Sequence, residues 1–84
     1  MYFVYIIYCP TQDLYYKGYT ENLSKRLMEH NEGFSRYTST KGPWTLVYQK
    51  MFETKWEALI EEKRIKKLNR ESVLRLIANQ NMED

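Results

Sequence analysis

The chain of 84 residues contains one cysteine, one histidine, two prolines and three glycines. Cys9 alone closes no intramolecular disulfide, and Cys9 with His30 falls short of the roughly four ligands of a tetrahedral zinc site. Disulfide scaffolds and zinc-held folds are therefore excluded, and a reducing, cytoplasmic compartment is expected. No run approaches the roughly 18–20 apolar residues of a membrane span. The apolar start Met1–Cys9 lacks both a basic stretch before it and a small-residue cleavage site after it, so it does not read as a signal peptide. No repeat, low-complexity stretch or Pro/Ser-rich linker divides the chain, which reads as a single domain over 1–84 with a frayed tail at Asn79–Asp84. Nor does one sign of charge dominate. The net charge of +2 permits a nucleic-acid partner without demanding one. A chain this short buries only about 60–65% of the surface its unfolded form exposes, which leaves room for a shallow cleft rather than a deep site.

What the chain has is an ordinary globular share of hydrophobic (43%) and charged (29%) residues and an unusual 15% of aromatics, eight of them tyrosine. Met1–Cys9, with Val4, Ile6 and Ile7, reads as a largely buried strand. Turn residues follow at Cys9–Asp13, and Leu14–Thr20 resumes an aromatic strand, so the two form an antiparallel hairpin. Thr20 or Asn22 caps a helix carrying Leu23, Leu27 and Met28, and Gly33 ends it. Phe34–Pro43 is a Ser/Thr-rich loop and Trp44–Phe52 a third strand. Thr54, with Glu57 three residues on, opens a second helix to about Leu68. A short last helix carries Val73, Leu74 and Ile77. The order β-β-α-β-α-α makes an α+β fold, a small three-stranded antiparallel sheet flanked by helices.

Several residues fall where packing and function each offer a reading, and a lone His beside apolar residues is more often a packed one. Tyr5 and Tyr16 fall on neighbouring strands, where an aromatic pair stabilises a sheet by roughly 0.2–1 kcal/mol. Gly18 inside a strand marks a bulge or a close approach by another group. Arg26 and His30 are four residues apart and share a helix face bordered by Leu23 and Leu27. Glu62 falls between Leu59 on one side and Ala58 and Ile65 on the other, a carboxylate within an apolar stripe. Buried carboxylates are rare without a partner, which here is either Arg26 or a divalent metal.

Val4-Tyr5-Ile6, then Tyr15-Tyr16-Lys17-Gly18-Tyr19-Thr20, Lys25-Arg26-Leu27, Glu29-His30-Asn31 and Glu-Ala-Leu-Ile-Glu-Glu ending at Glu62 resemble, in order and spacing, the GIY-YIG nuclease domain. The likeness is greatest to the small stand-alone bacterial members and covers nearly the whole chain. It implies a three-stranded antiparallel sheet with helices and hydrolysis of DNA phosphodiesters with one divalent cation, Mg²⁺ or Mn²⁺. It makes Tyr5 and Tyr16 the motif tyrosines, Arg26 the motif arginine, Glu62 the metal ligand, and His30 the residue where relatives place His or Tyr. The first motif lacks its leading Gly, and Lys17 stands where Ile is usual.

Those roles suit the chemistry. A hydrated Mg²⁺ can be held by a single protein carboxylate and can act as a Lewis acid on the leaving group. Arg26 offers a planar fork of donors to phosphate oxygens. A tyrosine with an ordinary pKa near 10 needs a nearby cation to serve as a base. Either motif tyrosine can take that part, supported by His30. Lys63, Lys67 and Arg70, which follow Trp56 and Ile60 on a helix, form either a solvated face or a phosphate-contacting rim that Lys17, Arg36 and Lys41 extend. Nothing resembles a base-reading element, so low sequence specificity is expected, with structured or damaged DNA as substrate. A non-catalytic nucleic-acid-binding module is the alternative, as is an interaction domain aimed by a targeting protein.

Overall fold

The computed structural model describes residues 1–82. Its elements are β1 (Tyr2–Cys9), β2 (Leu14–Thr20), α1 (Leu23–Asn31), β3 (Thr45–Phe52), α2 (Lys55–Lys66) and α3 (Arg70–Asn81). The sheet is antiparallel in the order β2-β1-β3. The expected α+β architecture is the one observed.

Alternation along β1 sends side chains to two separate cores. Val4 and Ile6 join Tyr48 and meet Ala58 and Ile65 of α2 and Val73 of α3. Tyr5, Ile7 and Cys9 join Trp44 on the other face, where Leu23 and Leu27 of α1 pack. The sheet is thus the middle of three layers. An irregularity at Ile6/Ile7 in the β1–β3 pairing lets Val47 lie with the α2/α3 core while Leu46 stays with the α1 core.

Side-chain caps set the helix starts. Asn22, Thr54 and Asn69 each accept a hydrogen bond from the backbone N–H three residues on. Gly33, at φ +83°, follows α1, and the Phe34 N–H bonds back to the Glu29 carbonyl as the chain reverses. One expectation is corrected. The second helix stops at Lys66 rather than Leu68, because Asn69 caps a new helix whose first residue is Arg70. Of the tail expected to fray, Asn79–Asn81 form the last residues of α3. Within that stretch the Gln80 side-chain amide reaches β3. It accepts from the Gln49 N–H at 3.2 Å and donates to the Gln49 carbonyl at 2.5 Å, occupying the open edge of β3. Glu83 and Asp84 lie outside the described residues.

Candidate active site

The site begins with a register. Tyr5 lies opposite Gly18, and Tyr16 lies opposite Ile7, two residues along. The Tyr5 ring lies across β2 into the space that Gly18 leaves. A Cβ at position 18 would stand 2.7 Å from Tyr5 Oη and 2.9 Å from Cζ. Gly18 is needed here for close approach. Tyr5 is only 2% exposed, so its hydroxyl needs internal partners.

Those partners come from α1. Tyr5 Oη lies 2.8 Å from His30 Nε2, and His30 Nδ1 lies 2.8 Å from Thr38 Oγ1. His30 and Thr38 are both fully buried. Thr38 Oγ1 in turn donates to the Ser35 carbonyl at 3.5 Å. Tyr16, half-buried, closes the group with its ring centroid 6.5 Å from that of Tyr5 and 4.9 Å from that of His30. Its ring also stacks on Tyr37 at 5.5 Å.

Burial dominates the electrostatics. It pushes the Tyr5 phenol from 10.0 up to about 12, against the opposing pull of Arg26. It pushes His30 from 6.5 down to about 4, with the Arg26 charge adding to the effect, so the imidazole is neutral. Tyr5 thus feels both charged groups of the expected set, since the Glu62 carboxylate also acts on it and raises its pKa. Arg26 acts electrostatically on Tyr5 and bonds Glu29, one helical turn on, at 3.2 Å. That pair is partly exposed, and such pairs contribute little, roughly 0–1 kcal/mol.

Glu62 occupies the predicted position on α2. Its side chain is 14% exposed and one oxygen lies 3.4 Å from Lys66 Nζ. No group of three or more His, Cys, Asp or Glu side chains suited to a metal occurs among the described residues. The described residues thus offer no protein cage for a metal, while one hard carboxylate does fit a divalent cation that keeps most of its waters.

Arg26 borders two shallow grooves. One, of about 420 Å³, is lined by Tyr2, Tyr19, Thr20, Glu21, Arg26 and Lys55. The other, of about 310 Å³, includes Lys25 and Glu29. The first links α1 to the start of α2 and adds Lys55 as a cation that sequence reasoning did not single out. A larger groove of about 460 Å³ lies against Phe3, Leu23, Leu27 and Leu46. It includes none of the Tyr5, Tyr16, Arg26, His30 and Glu62 set, so size is a poor guide to chemistry here.

The other expected nucleic-acid contacts scatter. Arg36, Lys63 and Lys67 are exposed. Lys41 Nζ donates to the Tyr37 carbonyl at 3.1 Å and sits 4.4 Å over the Tyr37 ring. Lys17 lies opposite Ile6, on the face of the sheet away from Tyr16, half-buried, with its ammonium pKa lowered by desolvation. Arg70 does not continue the α2 face. It opens α3, and its Nη2 lies 2.6 Å from Asp13 Oδ1 in the hairpin turn. Thr38 was not legible beforehand. It sits in a loop rich in hydroxyl residues, with no periodicity to separate the one that turns inward.

The sequence pattern described as the GIY-YIG catalytic domain matches residues 1–75. A UPF0213 protein of Clostridium perfringens is 44% identical over 85 residues, spanning 100% of this chain and 90% of that one. One from Oceanobacillus iheyensis is 46% identical over 82 residues, spanning 96% and 94%. The solution NMR structure of a UPF0213 protein from Bacillus halodurans superposes with a TM-score of 0.64 at 32% identity, covering 99% of this chain and 89% of that one. The chain therefore belongs to the GIY-YIG catalytic domain family.

Proposed function

We propose that this chain is a single-domain, metal-dependent endonuclease that hydrolyses DNA phosphodiester bonds in the cytoplasm with low sequence specificity, on structured or damaged DNA. The observation that carries the reading is the convergence of Tyr5, Tyr16, His30 and Arg26, with Glu62 electrostatically coupled to Tyr5. A divalent cation at Glu62, Mg²⁺ or Mn²⁺, would supply Lewis-acid stabilisation of the leaving oxygen. Arg26 contacts the scissile phosphate through the donors that Glu29 leaves unused and stabilises the charge that grows there. Lys25 and Lys55, which line the two grooves beside Arg26, hold the flanking backbone. Of the two motif tyrosines, Tyr5 is supported as the base because its hydroxyl lies within hydrogen-bond reach of His30 Nε2, toward which its own proton can shift as it takes one from water. Tyr16 packs beside it and bounds the cleft.

The test is nicking of supercoiled plasmid and branched DNA with Mg²⁺ or Mn²⁺ by the wild type, Glu62→Ala and Arg26→Ala. Nicking by the wild type alone establishes the reading. Equal nicking by all three refutes the residue assignment. DNA binding without nicking by any of them favours a binding module or a missing targeting protein. The Arg26–Glu29 and Glu62–Lys66 pairs would then be resting partners rather than poised groups.

A further inference from the structure

We propose that Thr38 is a positioning residue that holds neutral His30 in its Nδ1–H tautomer, so that Nε2 is the acceptor for the Tyr5 proton. The inference rests on the hydrolytic reading above and adds to it a residue outside the expected set. It follows from the polarity of the groups along one hydrogen-bond chain. At the inner end, the Ser35 carbonyl can only accept, so the single Thr38 hydroxyl proton points to it at 3.5 Å. The 2.8 Å contact with His30 Nδ1 must then be an N–H donated to Thr38 Oγ1. A neutral imidazole carries one proton, which leaves Nε2 bare. At the outer end, a bare Nε2 can only accept, so the Tyr5 phenol donates to it along the 2.8 Å contact. The chain therefore runs in one direction, from Tyr5 through His30 and Thr38 to Ser35.

The placement is built for this purpose. Thr38 is fully buried, and its carbonyl accepts from Trp44 Nε1 at 3.5 Å, so the inward turn of the loop is held by a core residue. In the reaction, a water proton moves to Tyr5 Oη as the phenol proton moves to His30 Nε2. The hydroxide oxygen bonds to phosphorus, and the bond from phosphorus to the leaving oxygen breaks, that oxygen taking a proton from solvent. The Nε2 proton then returns to Tyr5 Oη as Tyr5 releases the water-derived proton at the cleft, and the Nδ1–H to Thr38 persists throughout. With the opposite tautomer, Nε2 would carry a proton and could not accept one from Tyr5.

The test is two-bond ¹H–¹⁵N correlation of the single histidine at neutral pH in wild type, Thr38→Val and Thr38→Ser, with nicking assays on the same proteins. The wild type is expected as the Nδ1–H tautomer. Val, which removes the hydroxyl at similar size, shifts the ring toward Nε2–H, and Ser restores Nδ1–H. Turnover by Thr38→Val falls by roughly 10²-fold, the lower end of what a positioned acid–base group contributes, with DNA affinity unchanged, and Ser recovers it. An Nε2–H ring in the wild type overturns the proposal, and so does a Val variant that keeps Nδ1–H or turns over at the wild-type rate. The wild-type and Ser spectra decide the matter even if the Val variant does not fold. If wild-type protein nicks no DNA, the hydrolytic reading fails on its own, while the tautomer still decides the role of Thr38.

Discussion

Gly18→Ala isolates the contact on which the site is built. In an ordinary strand this change is favourable by roughly 0.5–1 kcal/mol, because alanine loses less backbone freedom on folding. Here the new Cβ would sit 2.7 Å from Tyr5 Oη, about 0.7 Å inside ordinary van der Waals contact. The phenol is not a free end. It is buried and bonded to His30 at 2.8 Å, which is bonded in turn to Thr38. Overfilling a packed site of this kind costs typically 1–3 kcal/mol. The repulsion outweighs the propensity gain, for a net destabilisation of about 1–2 kcal/mol, or roughly 4–16 °C in Tm for a domain of this size. Urea and thermal unfolding measure it. Tyr5→Phe removes the atom at 2.7 Å but leaves Cζ at 2.9 Å. The double variant should therefore show partial, non-additive relief. A Gly18→Ala protein as stable as the wild type, or strictly additive effects in the cycle, would refute the argument that Gly18 exists to seat the phenol.

Two further outcomes follow from the electrostatics. His30 is depressed from 6.5 to about 4 in the folded chain, so its contribution is complete above pH 6.5 and is lost as the pH falls toward 4. Wild-type stability should drop by about 2 kcal/mol between pH 7 and pH 5, where Asp13 and Glu61, with lowered pKa values, remain ionised. His30→Gln should show little slope in urea denaturation across that window, and an equal slope in both would contradict the buried neutral imidazole. For nucleic-acid binding, Lys63→Ala and Lys67→Ala should each lower the salt dependence of DNA affinity by about one unit of slope. Arg70→Ala should leave it unchanged, because its guanidinium is held by Asp13. Fluorescence anisotropy across a salt series separates the two, and an Arg70 effect as large as that of Lys63 would place the hairpin tip in the interface.

Much of the molecule was legible because local chemistry agrees with the fold. The hairpin, the Asn22 and Thr54 caps, the Gly33 exit and the apolar stripe around Glu62 each follow from residues a few positions apart. Tyr5, Tyr16, Arg26, His30 and Glu62 came forward as candidates through motifs that resemble the GIY-YIG family in order and spacing. The helix boundary near Leu68 was not legible. Asn69 caps a third helix, which carries Arg70 away from Lys63 to Asp13. The tail's polar composition does not show that Gln80 bonds both backbone groups of Gln49, 31 residues away.

The sequence by itself determined which chemical groups are present and which short segments become strands and helices, since capping, alternation and turn preferences act over a few residues. Only the tertiary structure decided which groups meet. The strand register set Tyr5 over Gly18 rather than opposite Tyr16. Packing of α1 on the sheet brought His30 to the phenol across 25 residues. Burial, a property of the whole fold, then moved both groups away from their ordinary pKa values and turned one threonine of a polar loop into the partner that orients the histidine.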